Sequence, residues 1–170
     1  MHEYFSLFGL PERFAIDPAQ LDVAYRHVQA QVHPDRFVNH SEAERRVAMQ
    51  WATLANEAFR TLKNPLARAR YLLERRGVEV DAERNTGMSN AFLMQQMEWR
   101  EAVEEAADDA EALKRLERDL ARDERVMLDD VKDALDEEGD LVQAVELVRR
   151  LMFMEKLRRE IDDALAQLEN

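Results

Sequence analysis

The sequence contains no cysteine in its 170 residues, which excludes a disulfide framework, a thiol nucleophile and a cysteine metal site. Glycine and proline are scarce, with four of each, so few turns interrupt the chain and long helices are favoured. No apolar run is long enough to span a bilayer, and the N-terminus lacks the basic and then apolar pattern of a signal peptide. We therefore expect a soluble, cytoplasmic protein.

Signatures of catalysis are missing as well. The four histidines, His2, His27, His33 and His40, have no HExxH spacing. No glycine-rich phosphate loop, serine nucleophile elbow or kinase signature occurs. A metal site made by His27, His33 and Asp35 is a remote alternative. We expect no enzyme activity, no cofactor and no metal.

The charge of the chain is unevenly distributed. Residues 1–76 carry 11 Lys/Arg and 9 Asp/Glu, a net charge of +2, whereas residues 77–170 carry 13 and 27, a net charge of −14. Two parts with different electrostatics indicate two modules with different partners. An acidic half would be repelled by phosphate backbones, so nucleic-acid binding is not expected.

Helical patterns fill residues 1–76. A short aromatic-rich segment at 4–8 is followed by two amphipathic helices, the first starting at the capping residue Asp17 and the second at Ser41. Joined by a loop at 33–40, they form a helical hairpin. Trp51 lies on the apolar stripe of the second of these helices and is expected in the core. A further helix follows Asn64-Pro65 and ends at Gly77.

The loop of this hairpin carries the stretch Val32-His33-Pro34-Asp35-Arg36-Phe37. Proline lacks an N–H and biases the preceding residue away from the α region, so the first helix of the hairpin should end near Val32. The imidazole of His33 and the carboxylate of Asp35 are then at an exposed corner, where a partner can reach both.

The second half is predicted to contain a connecting segment at 77–89 and a bundle of three long helices at 90–170, of which the second runs from about 109 to 136. The first bundle helix has apolar residues on two faces at helical spacing. Phe92, Trp99, Val103 and Ala106 form a sufficient core face, whereas Leu93, Met94 and Met97 point away beside several glutamates. This second face predicts a partner site, with coverage by another part of the chain as the alternative. In the third bundle helix, Phe153 is surplus to the core stripe.

The first module resembles a J-domain, and the complete chain resembles the HscB family of iron–sulfur co-chaperones. The motifs that carry the resemblance span most of the chain: Tyr4 to Pro11 (YFSLFGLP), His33 to Phe37 (HPDRF), Asn64 to Leu73 (NPLARARYLL), Ala91 to Glu98 (AFLMQQME) and Phe153 to Leu157 (FMEKL). Two departures are visible. The basic surface on the second helix is thin, and the cysteine pairs of some eukaryotic relatives are absent.

The resemblance implies an L-shaped all-α protein with a J-domain at 1–76, a connecting segment at 77–89 and a three-helix bundle at 90–170. It implies that the J-domain binds a specialised DnaK-class chaperone of HscA type and stimulates its ATPase, with contacts from His33, Pro34, Asp35, Arg36 and Arg26. It implies that the bundle binds the iron–sulfur scaffold of IscU type through Leu93, Met94, Met97, Glu98, Glu101, Glu105 and Phe153. Two alternatives are a generic J-domain co-chaperone with another client and a purely structural helical protein.

Overall fold

The computed structural model describes residues 3–80 and 88–169, so the connecting segment is described only at its ends, and His2 and Gly87 lie outside the described residues. All regular structure in those ranges is helical, as the sequence predicts. The α-helices there are α1 Tyr4–Leu7, α2 Pro18–Val32, α3 Glu42–Lys63, α4 Pro65–Arg75, α5 Asn90–Glu105, α6 Ala110–Lys132 and α7 Leu141–Leu168. None of them is both long enough and apolar enough to cross a membrane.

The contacts among the described residues divide the chain into two units, Met1–Leu72 and Leu73–Asn170. The division falls inside α4, after Leu72. Each unit has buried apolar side chains of its own.

In the first unit, α2 and α3 pack together as a helical hairpin. The ring of Tyr25 on α2 stacks on Phe59 of α3 at 4.1 Å between centroids, and its hydroxyl donates to Oδ1 of Asn56 at 2.5 Å. Tyr71 of α4 contacts α1. Its ring stacks on the ring of Tyr4, and its hydroxyl accepts a hydrogen bond from the Tyr4 amide at 2.9 Å. These contacts hold α1 and α4 together and fix the two hairpin helices side by side.

The helices of the hairpin begin at the residues that the sequence predicts. Oδ1 of Asp17 accepts from the amide of Ala19 at 2.9 Å, and Pro18 occupies the first position of α2. Ser41 and Glu44 form a reciprocal capping box at the start of α3. Each cap satisfies backbone N–H groups that have no partner inside the helix.

The expectation that Trp51 is buried in the core is wrong. Its side chain is 45% exposed, and Val47, one turn earlier on the same stripe, is 50% exposed. The buried side chains of α3 are Ala48, which lies beside Val47 and Trp51, and then Ala55, Ala58 and Leu62 toward the C-terminal end. α2 ends at Val32, and the short turn after it covers the small side chain of Ala48 but leaves the larger side chains of Val47 and Trp51 partly exposed.

In the second unit, α5, α6 and α7 form the predicted three-helix arrangement, with α7 in contact with both other helices. The side chains buried in it come from all three helices and include Phe92, Leu113, Val131, Val148, Met154, Leu157 and Ile161.

The second bundle helix differs from the expected single α-helix of about 109–136. Its α geometry ends at Lys132 and continues as a π-helical turn, Asp133–Glu138. Gly139 then takes a φ of 65°, which favours glycine, and ends the turn. Oδ1 of Asp140 accepts from the amide of Gln143 at 3.1 Å and starts α7.

Candidate functional site

Two groups of exposed residues are candidates for function, and the first is the corner of the hairpin. His33 ends α2 with extended backbone angles, φ −59° and ψ 135°, as the following proline requires. Pro34–Phe37 form a 3-10 turn. The side chains of His33 and Asp35 are 59% and 88% exposed. The turn therefore presents both polar groups to solvent, as predicted.

The geometry of the corner fixes which hydrogen-bonding atoms it offers. Nδ1 of His33 accepts from the backbone amide of Asp35 at 3.2 Å and lies 3.6 Å from its Oδ2. In the neutral imidazole this places the proton on Nε2, which is left as a donor, while the carboxylate of Asp35 is an acceptor. The corner thus carries a donor and an acceptor on one rigid turn, an arrangement suited to binding and not to proton transfer between them.

The predicted basic residues of this site are placed differently. Arg26 lies on α2 and lines the same shallow cavity as His33 and Pro34. Arg36 turns back on the helix, and its Nη1 donates to the carbonyl of Ala30 at 3.3 Å. Arg36 therefore helps to hold the turn against the end of α2, and Arg26 is the cation that faces the cavity beside the corner.

The second candidate is the face of α5 that points away from the bundle core. Leu93, Met94 and Met97 are 43%, 63% and 71% exposed, whereas Phe92 on the opposite face is 2% exposed. Ser89 caps this helix, because its Oγ accepts from the amide of Phe92 at 3.3 Å. The exposure agrees with the two-face pattern read from the sequence.

Acidic side chains surround these apolar residues. Glu98, Glu101 and Glu105 are exposed on the same helix, and Glu104 is exposed as well. In the part of the chain that the structure describes, no group of three or more His, Asp or Glu side chains could hold a metal ion. The face is an apolar patch with a negative border, which matches a partner that carries apolar and basic groups.

Phe153 of α7 has a mixed role in the structure. It is half-buried, with its ring edge-on to Phe92 at 6.1 Å and stacked on Trp99 at 6.0 Å between centroids. It therefore contributes to the packing of α5 on α7 besides having an accessible part. The sequence separated Phe153 from the core stripe, whereas the structure joins it to the core ring Phe92.

Arg100 was missed by the sequence reasoning. Its guanidinium lies 5.4 Å from the centroid of the Phe153 ring and 3.6 Å from the carboxylate of Glu160. The sequence pattern does indicate its position, because Leu93, Met97 and Arg100 follow the i, i+4, i+7 spacing of one helical face. This places a cation among the glutamates, next to the apolar patch.

Comparisons with known proteins agree with this architecture. Residues 88–162 match the family profile described as "HSCB C-terminal oligomerisation domain". The co-chaperone protein HscB homolog of Aromatoleum aromaticum is 53% identical over 98% of this chain and 96% of its own length. That of an Azoarcus species is 54% identical over 99% and 96%.

Solved structures give the same picture. The chaperone HscB from Vibrio cholerae has 35% sequence identity and a TM-score of 0.85, covering 98% of this chain and 99% of its own. Human co-chaperone protein HscB has 30% identity and a TM-score of 0.90, covering 100% and 84%. The similarity thus extends over both units of the chain.

Proposed function

The chain belongs to the HscB family of co-chaperones, and we propose that it is the adaptor between an iron–sulfur scaffold protein of IscU type and a specialised DnaK-class chaperone of HscA type. In this proposal the exposed face of α5, with Phe153, binds the scaffold. The corner at His33 to Arg36, with Arg26, binds the chaperone and stimulates its ATPase. Delivery of the scaffold to the chaperone then assists iron–sulfur cluster assembly and transfer.

The observation that carries the proposal is the second apolar face of α5. The core of the bundle is complete without Leu93, Met94 and Met97, because Phe92 and the buried residues of α6 and α7 fill it. Large exposed apolar side chains grouped on one helix face are typical of protein interfaces, and methionine adapts its shape to a docked surface.

An adaptor needs no chemistry of its own. Holding scaffold and chaperone on one chain raises the effective concentration of one beside the other. Stimulation of hydrolysis requires that the corner bind the hydrolysis-competent state of the chaperone more tightly than the other state. The exposed donor of His33 and acceptor of Asp35 support such a contact, since charge-assisted hydrogen bonds depend strongly on geometry.

Single-turnover ATP hydrolysis by the chaperone, with and without this protein and the scaffold, tests the proposal. We expect stimulation by the wild-type chain and further stimulation when scaffold is added. Asp35→Asn keeps the size of an 88% exposed side chain and should fold normally, yet it should lose most of the stimulation. Calorimetry should show its scaffold binding intact. A folded Asp35→Asn variant that stimulates the chaperone like the wild type would refute the proposed role of the corner in stimulating the ATPase.

The alternative is a generic J-domain co-chaperone whose acidic bundle carries another client. Titration of the full chain with the scaffold protein separates the two proposals, because only the first expects saturable binding. Dilution of the chain alone is the necessary control. The exposed face of α5 lies within residues 88–162, which match a family profile whose description names an oligomerisation domain. A heat of dilution that depends on the protein concentration would reveal self-association of the chain.

A further inference from the structure

A cavity lies in the second unit, at the end of the bundle where α5 and α7 begin. It has a volume of about 310 Å³, and the described part of its wall is mostly apolar, with Val78, Met88, Phe92 and Val145 among its side chains. Phe92 and Val145 are only 2% and 8% exposed. None of the residues that we assign to the scaffold or to the chaperone lines the part of the cavity that the structure describes, so neither role accounts for it.

Arg149 of α7 brings a positive charge to this wall. Its Nε and Nη2 atoms are buried and have no hydrogen-bond partner among the described residues. Glu146, one turn earlier on α7, is engaged elsewhere, because its Oε1 accepts from Nη2 of Arg150 at 2.7 Å and from Oγ of Ser89 at 3.4 Å. Glu79 also lines the cavity but is exposed, so water and salt screen its charge.

A buried cationic donor without an acceptor costs stability. A methionine at position 149 would avoid this cost, because the stem of an arginine side chain already packs as an apolar chain. The unpaired guanidinium of Arg149 therefore favours a use for its charge. An anion beside it would supply the missing acceptors, and charge-assisted hydrogen bonds of this kind are among the strong ones.

The backbone at this end of the bundle also favours an anion. α5 begins at Asn90 and α7 at Leu141, and Ser89 and Leu141 both line the cavity. The first amides of a helix have no carbonyl partner inside it, and the side-chain caps of Ser89 and Asp140 each accept from one such amide. Two helix dipoles therefore have their positive ends here, which stabilises a negative charge and disfavours a second cation.

From the cavity, the guanidinium and the two helix ends, we propose that this site binds a small carboxylate that has an apolar body. The carboxylate lies against Arg149, and the apolar body lies between Phe92 and Val145. The volume limits the ligand, because an apolar cavity of about 150 Å³ holds one benzene. A cavity of about 310 Å³ therefore fits a ligand of roughly twice that size, such as a medium-chain fatty acid.

Octanoate is the probe that tests the site, with octanol and octylammonium as neutral and cationic controls of the same chain length. Titration calorimetry of the full chain should give a Kd for octanoate of about 0.1–1 mM, as expected for a ligand of this size. Octanol should bind about tenfold or more weakly, because it lacks the charge-assisted contact. Octylammonium should not bind in the cavity, because Arg149 and the helix ends repel its charge.

Methionine methyl groups report where the probe binds. With 13C in the methyl groups of the eight methionines, Met88 reports on the cavity wall, whereas Met94 and Met97 report on the exposed face of α5. Octanoate should shift the NMR signal of Met88 at concentrations that leave the signals of Met94 and Met97 unchanged. This pattern separates binding in the cavity from adsorption on an exposed apolar surface.

Arg149→Met removes the charge and keeps an unbranched side chain. It should weaken octanoate binding about tenfold or more and leave octanol binding unchanged within about twofold. Its melting temperature without ligand should equal or exceed that of the wild type, because the unpaired cation is gone. Arg159→Met is the matched control, since it removes the same charge from α7 at an exposed side chain that pairs with Glu155. This control should bind octanoate like the wild type.

Absence of saturable octanoate binding to the wild type up to about 10 mM, well above the expected range, would refute the site. Equal affinity for octanoate and octanol, or shifts confined to Met94 and Met97, would refute it as well, even if Arg149→Met failed to fold. If Arg149→Met bound octanoate like the wild type and melted at a lower temperature, Arg149 would be structural and the proposal would be wrong. None of these results concerns the scaffold or the chaperone, so the site and the proposed function are tested separately.

Discussion

Simultaneous change of Leu93, Met94 and Met97 to alanine tests whether this face of α5 binds a partner or stabilises the fold. All three side chains are on the exposed face of α5, with 43% to 71% of each accessible. Phe92→Ala on the opposite face of the same helix is the matched control, because its side chain is 2% exposed and meets Phe153 edge-on.

The expected stability changes differ clearly in size. Exposed apolar side chains typically cost about 0.5 kcal/mol or less when shortened, so the triple variant should lose about 1 kcal/mol and only a few degrees of melting temperature. Truncation of a buried phenylalanine typically costs about 3–5 kcal/mol. Alanine also favours the helix at each position. Phe92→Ala should therefore unfold at a much lower temperature than the triple variant.

The expected binding changes have the opposite order. Central apolar anchors of an interface often contribute more than about 1 kcal/mol each, so the triple variant should weaken scaffold binding by about 100-fold. Calorimetric titration with the scaffold measures this loss, and a thermal melt measures stability on the same preparation. Chaperone stimulation in the absence of scaffold should be unaffected. A drop in melting temperature as large as that of Phe92→Ala would show that this face is core, and the scaffold assignment would fall with it.

Three further predictions concern other parts of the chain. Residues 1–76 should fold alone and stimulate the chaperone weakly without any gain from scaffold; circular dichroism of an unfolded fragment would contradict this boundary. Phe153→Ala should weaken scaffold binding but also cost roughly 1–2 kcal/mol of stability, because its ring packs on Trp99, as chemical denaturation would measure. Hydrogen bonds from Ser41 hold the pKa of Glu44 below its ordinary value, so their stabilising effect is present above that value and is lost as the pH falls through the lowered pKa. Ser41→Ala should consequently reduce the melting temperature at neutral pH and have a smaller effect in acid, which melts across that range would compare.

The helix boundaries could be predicted because each depends on a few neighbouring residues. Asp17 with Pro18, and Ser41 with Glu44, satisfy backbone groups within one turn, so the signal is complete in the local sequence. The π-helical turn Asp133–Glu138 could not be predicted in this way. Its hydrogen-bonding differs from that of an α-helix by one residue, and its carbonyl at Leu135 accepts from Arg76, which is far away in sequence.

The exposure of Trp51 was missed for a related reason. Periodicity tells which face of a helix a residue occupies, but not whether another element covers that face. The stripe of α3 is continuous in sequence from Val47 to Leu62, but in the structure its early part buries only the small Ala48 and leaves Val47 and Trp51 about half exposed. The same limit applies to Phe153, since the sequence could not show that its ring would stack between α5 and α7.

The distribution of exposed apolar side chains bears on the purely structural alternative. Single exposed residues such as Val126 and Leu168 are normal on any protein surface. On the face of α5 and beside the corner of the hairpin, however, large apolar residues are grouped. Each group is next to polar residues that a partner can reach, the glutamates of α5 in one case and His33 with Asp35 in the other. A protein that only had to fold would gain nothing from these groups and would be more soluble without them, so their positions favour an adaptor with two binding surfaces.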